Sequence, residues 1–266
     1  MGIIYEPAGK AKEYAPWAAN LYRGCAHGCA YCYAPNALFT DREEFHAKPK
    51  ARKDILAAFE KDCRKLSGRI NNILLSFSTD PYQPIESELG LTRQAIEIAH
   101  RHGIGVQILT KGGLRAVRDF DLLGDADAFA CTLTFLNDAP SLEWEPQAAR
   151  PEERIASLKQ AHEKGIFTWV SLEPVIEPET TLEIIRQTAG FVDQYKVGML
   201  NYHPLTKEID WLGFGKQAME LLRSLEKAFY IKEDLRKHAG LTEYEYWPET
   251  TRRYPSQAAL TKGALC

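Results

Sequence analysis

Apolar residues fall into short runs, and most are followed by a segment in which apolar positions recur at helical spacing. The run NILLSFST (Asn72 to Thr79) predicts a buried strand, and LTRQAIEIAHRHG a helix stopped by Gly103. IGVQILTK (Ile104 to Lys111) predicts the next strand and LRAVRDFDLL the next helix. AFACTLTF (Ala128 to Phe135) is a strand, and PEERIASLKQAHEKG has the proline start, early acids and glycine stop of a helix. FTWVSLEPV (Phe167 to Val175), the helical PETTLEIIRQTAGF and QYKVGML (Gln194 to Leu200) continue the alternation. With NLYR (Asn20 to Arg23) as a first strand, six strand–helix units are expected, and AFYIKEDLRKH supplies a last short strand and helix. This rhythm predicts an α/β fold built of parallel βαβ units.

A parallel barrel carries its chemistry where the strands end. Ser78, Thr79 and Asp80 end one predicted strand and Lys111 the next. Thr132 and Thr134 fall late in a third, Glu173 late in a fourth, and Asn201 follows a fifth. Side chains alternate across a strand, so Thr132 with Thr134, Ser171 with Glu173, and Gln107 with Lys111 are expected to share the lumenal face, with Cys131 turned toward the helices. A carboxylate at Glu173, inside an apolar run, is costly unless paired or liganded. Asp80, Tyr82, Gln83 and Glu86 are the candidates for touching a substrate, with Asn201, Tyr202 and His203 behind them.

Composition narrows the class. The chain has 266 residues, of which 45% are hydrophobic and 26% charged, enough for a proper core. The net charge of −3 and the scattered Lys and Arg give no global signature of duplex binding. No apolar run reaches the ~18 residues of a membrane span, and the start of the chain lacks the pattern of a secretory leader. A cytoplasmic location is expected, with reduced thiols. One domain over residues 1–266 is expected: an extension over 1–19, a core over about 20–235, and an irregular tail over 240–266 that packs on the body.

Three of the six cysteines, Cys25, Cys29 and Cys32, crowd into LYRGCAHGCAYCYAP, while Cys63, Cys131 and Cys266 stand apart and read as ordinary residues. A structural zinc site would require a fourth ligand, and His27 is cramped within the same loop. A dithiol at Cys29 and Cys32 leaves Cys25 without a role. An iron–sulfur cubane held by three thiolates would keep one iron open for another ligand.

The spacing Cys-x3-Cys-x2-Cys, with Tyr31 just before the last cysteine, resembles the radical S-adenosylmethionine (SAM) superfamily. RGCAHGCAYCYAP, SFSTDPYQPIE, LTKGG and SLEPVI further resemble its DNA repair photolyase-like branch, which includes spore photoproduct lyase, over roughly residues 3 to 235. The resemblance implies a partial (β/α)6 barrel, a [4Fe–4S] cluster on Cys25, Cys29 and Cys32, and SAM at its open iron. It further implies reductive cleavage of SAM to a 5′-deoxyadenosyl radical that takes hydrogen from a substrate. Tyr31 and Tyr33 would lie by cluster and adenosyl group, Thr79 and Thr132 at SAM-contacting serine positions, and Lys111 at the SAM carboxylate. Ser78, Thr134, Glu173 and Asn201 join them as cofactor-side candidates from the strand ends.

One position departs from spore photoproduct lyase: Phe77 stands where that enzyme has its hydrogen-donor cysteine. The substrate therefore stays open, nucleic acid by resemblance and a peptide or small metabolite by charge. A reducing partner such as flavodoxin or ferredoxin is implied, and no membrane. The alternative is a non-enzymatic iron–sulfur or zinc barrel that acts through a partner.

Overall fold

A computed structural model describes residues 2–241; the tail expected to pack on the body lies outside the described residues from 242 onward, as does Cys266. The chain opens with β1 (Ile4–Tyr5), a 3-10 turn over Gly9–Glu13 and β2 (Ala18–Ala19). β3 (Tyr22–Arg23), α1 (Ala34–Ala37), α2 (Arg42–Ala47) and β4 (Lys50–Ala51) follow. Next come α3 (Ile55–Leu66), β5 (Asn72–Leu75), α4 (Glu86–Leu89), α5 (Leu91–Arg101) and β6 (Gly105–Thr110). After a 3-10 segment, Gly113–Asp119, the chain forms β7 (Ala128–Thr132), α6 (Asp138–Trp144), α7 (Pro151–Glu163) and β8 (Phe167–Val175). α8 (Pro178–Thr188), β9 (Gln194–Met199), α9 (Trp211–Ser224), β10 (Ala228–Ile231) and α10 (Glu233–His238) complete it.

Eight strands form one sheet in the order β1-β2-β5-β6-β7-β8-β9-β10. Only β1 pairs antiparallel; every other neighbour is parallel. The fold is thus α/β with a mostly parallel sheet, as the alternation predicted. Its faces follow from the two-residue period of a strand. Ile73, Leu75, Val106, Ile108, Phe129, Cys131, Val170 and Leu172 enter the main core under the helices. Leu74, Ala128, Ala130 and Trp169 face the other way and pack with Tyr14. Alanines at three of those inner positions, counting Ala18, leave the space that the Trp169 and Tyr14 rings fill.

Two elements differ from expectation. The strand expected over 20–23 is split: Ala18–Ala19 joins the main sheet beside β5, whereas Tyr22–Arg23 pairs antiparallel with Lys50–Ala51 in a separate ribbon. The helix expected over LRAVRDFDLL is a 3-10 segment instead. Its end is pinned by Asp119, fully buried, whose carboxylate accepts from Tyr82 Oη at 3.0 Å and Arg118 Nε at 2.9 Å.

Between β1 and β2 the chain crosses the open edge of the sheet. Lys10 Nζ donates to Asn201 Oδ1 (2.9 Å) and pairs with Asp234. Glu13 Oε1 accepts from Tyr230 Oη (2.9 Å) and the Glu233 amide (2.8 Å). The carbonyl of Trp17 then accepts from the Leu74 amide at 2.9 Å. Residues 9–17 therefore form a strap from the β10 side to the β2 side.

Candidate active site

The three clustered cysteines occupy the loop between β3 and α1. That loop is held from every side by backbone and side-chain bonds. Gln83 Oε1 accepts from the Ala26 amide (2.9 Å) and Gln83 Nε2 donates to the Gly24 carbonyl (3.2 Å). Arg42 donates to the carbonyls of Cys29 (3.2 Å) and Cys32 (2.7 Å). The Cys25 amide donates to the Phe45 carbonyl, and the Ala30 amide to the Trp144 carbonyl. Gly24 has φ +79°, and a Cβ there would meet the Phe45 oxygen at 2.6 Å, so only glycine fits this turn.

All three thiols line one cavity of about 390 Å³, within the size range of small-molecule sites. Cys25 and Cys29 are buried and Cys32 is half-buried. Burial holds all three thiols protonated, raising Cys29 to about 12; thiolate formation requires a cation to compensate it. Among the described residues, no three of His, Cys, Asp and Glu converge as a single metal ion would need. Three thiols lining one cavity are the donor set of a thiolate-held metal centre.

Asp80 organises the neighbouring strand ends. Its Oδ1 accepts from Thr110 Oγ1 (2.6 Å) and the Tyr82 amide (2.8 Å), and its Oδ2 from the Lys111 amide (2.7 Å). That carboxylate also faces the His27 ring at 3.4 Å. His27 is buried, which pulls its imidazole down to about 4, so it is neutral near pH 7. The Lys111 ammonium lies 5.4 Å over the Tyr31 ring. Burial disfavours its charge, but Cys29 and Glu145 outweigh that and raise its pKa. Tyr31 in turn donates its hydroxyl to Glu145.

The floor of the cavity is Tyr14, brought in by the strap. Its hydroxyl donates to Glu173 and is 2.8 Å from Ser171 Oγ, while Lys232 Nζ donates to Glu173 at 2.6 Å. The expected shared face of Ser171 and Glu173 is realised here, and the Glu173 carboxylate is paired as its apolar setting required. Phe77 lines the cavity and meets the Tyr14 ring edge-on, centroids 5.6 Å apart.

Of the residues singled out from sequence, Tyr31, Tyr33, Ser78, Thr79, Asp80, Lys111, Thr132, Glu173, Asn201 and Tyr202 line the cavity with the cysteines. Five others sit elsewhere. Tyr82 is buried with its hydroxyl on Asp119, and Gln83 is spent on the sulfur loop. Glu86 accepts from the Leu91 and Thr92 amides at the start of α5, from Arg118 and from Tyr22. Thr134 lies past the end of β7, where strand alternation no longer applies, with its hydroxyl 3.5 Å from Glu145. His203 packs its ring on Trp144, and Cys131 turns toward Ser157 of α7 as expected.

The sequence reading missed Tyr14, Lys10 and Lys232, which line the same cavity, and the buried Glu145–Arg154 ion pair of 2.6 Å behind Tyr31. None carried a local signal: each stands alone in an unremarkable segment. A wider, shallow depression of about 670 Å³, lined by Glu152 of α7 and by Glu179 and Glu183 of α8, holds no thiol and opens to solvent.

Residues 19–192 match the model of the radical SAM superfamily. The chain is 30% identical to the uncharacterized protein MJ0683 of Methanocaldococcus jannaschii, over 70% of this chain and 71% of that one. Among solved structures, spore photoproduct lyase in complex with a dinucleoside spore photoproduct superposes with a TM-score of 0.64 at 14% identity, covering 85% of this chain and 79% of that one. SuiB of Streptococcus suis, bound to its precursor peptide SuiA, gives 0.61 at 15% identity, covering 82% of this chain and 49% of that one. The chain spans about half the length of SuiB and, at 51%, of the uncharacterized Mycobacterium tuberculosis protein Rv2578c. These solved structures share the fold, and the matched segment runs from β2 to the approach to β9, taking in the sulfur loop. The chain belongs to the radical SAM superfamily.

Proposed function

We propose that this protein is a radical SAM enzyme that holds a [4Fe–4S] cluster on Cys25, Cys29 and Cys32 and binds SAM in the adjoining cavity. The observation that carries the reading is the composition of one cavity lining: three thiols, Lys111, Thr79 and Thr132 line the same enclosure. Held by Cys25, Cys29 and Cys32, the cluster would supply the electron for reductive cleavage of SAM and thereby radical hydrogen abstraction as the enzyme's chemistry.

The chain's own part is holding and shielding. Lys111 presents a cation to a ligand carboxylate, with its backbone fixed by Asp80. Thr79 and Thr132 offer hydroxyls, and Tyr31, braced by Glu145, presents an aromatic face. Tyr14 and Phe77 wall off the lumen beneath and exclude water from the reacting centre. Substrate enters on the side where Tyr33, Asn201 and Tyr202 are exposed or half-exposed. The peptide and dinucleoside bound by the two solved relatives make both classes reasonable candidates, and Phe77 argues against hydrogen return from a strand thiol.

Anaerobic reconstitution should give a brown protein with about four irons per chain. With dithionite and SAM it should form 5′-deoxyadenosine, and Cys29→Ala should abolish both iron loading and product. A colourless wild-type protein that retains zinc after the same treatment would overturn the proposal.

A further inference from the structure

The ribbon of β3 and β4 carries a concentration of positive charge that sequence reading alone passed over. Arg23 and Lys50 are Cα partners across it, so their side chains leave the same face. Lys48 and Arg52 flank Lys50 at two-residue spacing, and Lys53 follows. Arg23, Lys48, Lys50 and Lys53 are exposed and Arg52 is half-buried. Among the described residues, none of the five takes part in an ion pair. Asp54 beyond Lys53, and Asp41, Glu43 and Glu44 around the start of α2, are the nearest carboxylates in sequence and leave them unpaired. Burial and Arg23 together lower the pKa of Arg52. Like charges directly opposite in a ribbon are destabilising. A chain with net charge −3 thus keeps an uncompensated cationic face, which calls for an anionic partner from outside.

Its position decides which partner. The five cations lie outside the cavity lining, where Lys10 and Lys232 are paired with carboxylates and Lys111 stands over the Tyr31 ring. The ribbon instead leads into the sulfur loop, with Arg23 two residues before Cys25. Behind it, Phe45 and Ala34 pack with Cys25 and Cys32 as one small apolar cluster. Arg42 joins the surface to the Cys29 and Cys32 carbonyls. Directly after α1 the chain exposes Leu38 (51%) and Phe39 (98%). A charged stripe that runs directly into the loop carrying the thiols, with exposed apolar residues after α1, suits a small transient electron-transfer contact.

We propose that Arg23, Lys48, Lys50, Arg52 and Lys53 form the docking surface for an acidic one-electron carrier protein that reduces the cluster; this rests on the radical SAM reading above. One electron leaves the carrier's reduced cofactor and enters the cluster, with no bond made or broken.

The test uses reconstituted full-length protein and a reduced acidic flavodoxin as probe, with binding measured by calorimetry across ionic strength. Wild type should bind at low salt and weaken as salt screens the contact. Arg23→Glu/Lys50→Glu, and separately Lys48→Glu/Lys53→Glu, should weaken binding about tenfold or more at low salt, with the gap closing at high salt. Dithionite-driven 5′-deoxyadenosine formation should be unchanged in both variants, and its absence in wild type would sink the radical SAM reading instead. Salt-independent flavodoxin binding, no binding, or equal binding by both variants would overturn the docking proposal. So would a labelled single-stranded oligonucleotide that loses affinity in the variants while flavodoxin does not, because the patch would then hold nucleic acid.

Discussion

At the scale of single residues, Glu145 supports the wall that Tyr31 presents. It is almost fully buried, as is Arg154, and the two are paired at 2.6 Å. Burial alone would raise the Glu145 carboxyl, but Arg154 and Lys111 hold it below its ordinary value. Arg154 also donates to the Ala149 carbonyl (2.8 Å) and the Thr132 carbonyl (3.1 Å), which ties the end of β7 to α7. Removing one partner of such a pair strands a charge in the interior, at a cost of about 3–5 kcal/mol. Glu145→Gln should therefore lower unfolding free energy by that order in urea titration. Glu145→Gln/Arg154→Met should recover much of it, since apolar replacement of both partners is often neutral. A single variant that loses under ~1 kcal/mol would show that the pair is not what holds this wall. The three cysteines were legible because their spacing is local; Glu145 and Arg154 were not, because they belong to different segments, the end of α6 and the start of α7, whose pairing only the fold reveals.

At the scale of elements, the sulfur loop is a passive segment fastened by others. Gln83 is its main staple from the β5 side, with both ends of its carboxamide used on backbone. Sequence reading placed Gln83 in contact with substrate because it follows a strand end. That inference treats every post-strand polar residue as facing the cavity, and here the chain turns away at Asp80–Tyr82. The same lack of partner information explains the split first strand: NLYR has strand character, but its letters do not say whether it joins β5 or β4. The parallel strands themselves were legible, since their apolar runs are bounded by helices with clear starts and stops. Gln83→Ala should leave the buried Gly24 carbonyl and the half-buried Ala26 amide unpaired, at about 1–3 kcal/mol for the buried group. The far-ultraviolet circular dichroism should stay native while anaerobic iron loading falls below the wild-type level. Full loading with unchanged melting would show that Arg42 and Trp144 suffice to hold the loop.

At the scale of the whole molecule, the strap is what makes an open sheet into an enclosure. An ion pair ties it to α10 and a hydrogen bond to β10, and Tyr14 plugs the lumen. It was read from sequence only as an extension, because its contacts span about two hundred residues of chain. Lys196 of β9 secures it from within: its Nζ donates to the Tyr14 carbonyl at 2.6 Å and lies 4.9 Å over the Trp169 ring. Burial, with Lys232 nearby, lowers this ammonium to about 7 from an ordinary value of 10.5. The unfolded chain therefore binds a proton between pH 7 and 10.5 that the folded chain has released, so this group makes stability rise with pH across that window and adds no slope below it. The slope it contributes approaches about 1.4 kcal/mol per pH unit. Buried tyrosines and cysteines with raised values act in the opposite sense at the upper end, so the difference between proteins is the informative quantity. Urea titrations of wild type and Lys196→Met at pH 7, 8 and 9 should show the wild type gaining on the variant at each step. Parallel curves would mean that Lys196 stays charged in the lumen, and the strap would then be held by an ammonium rather than by a neutral amine.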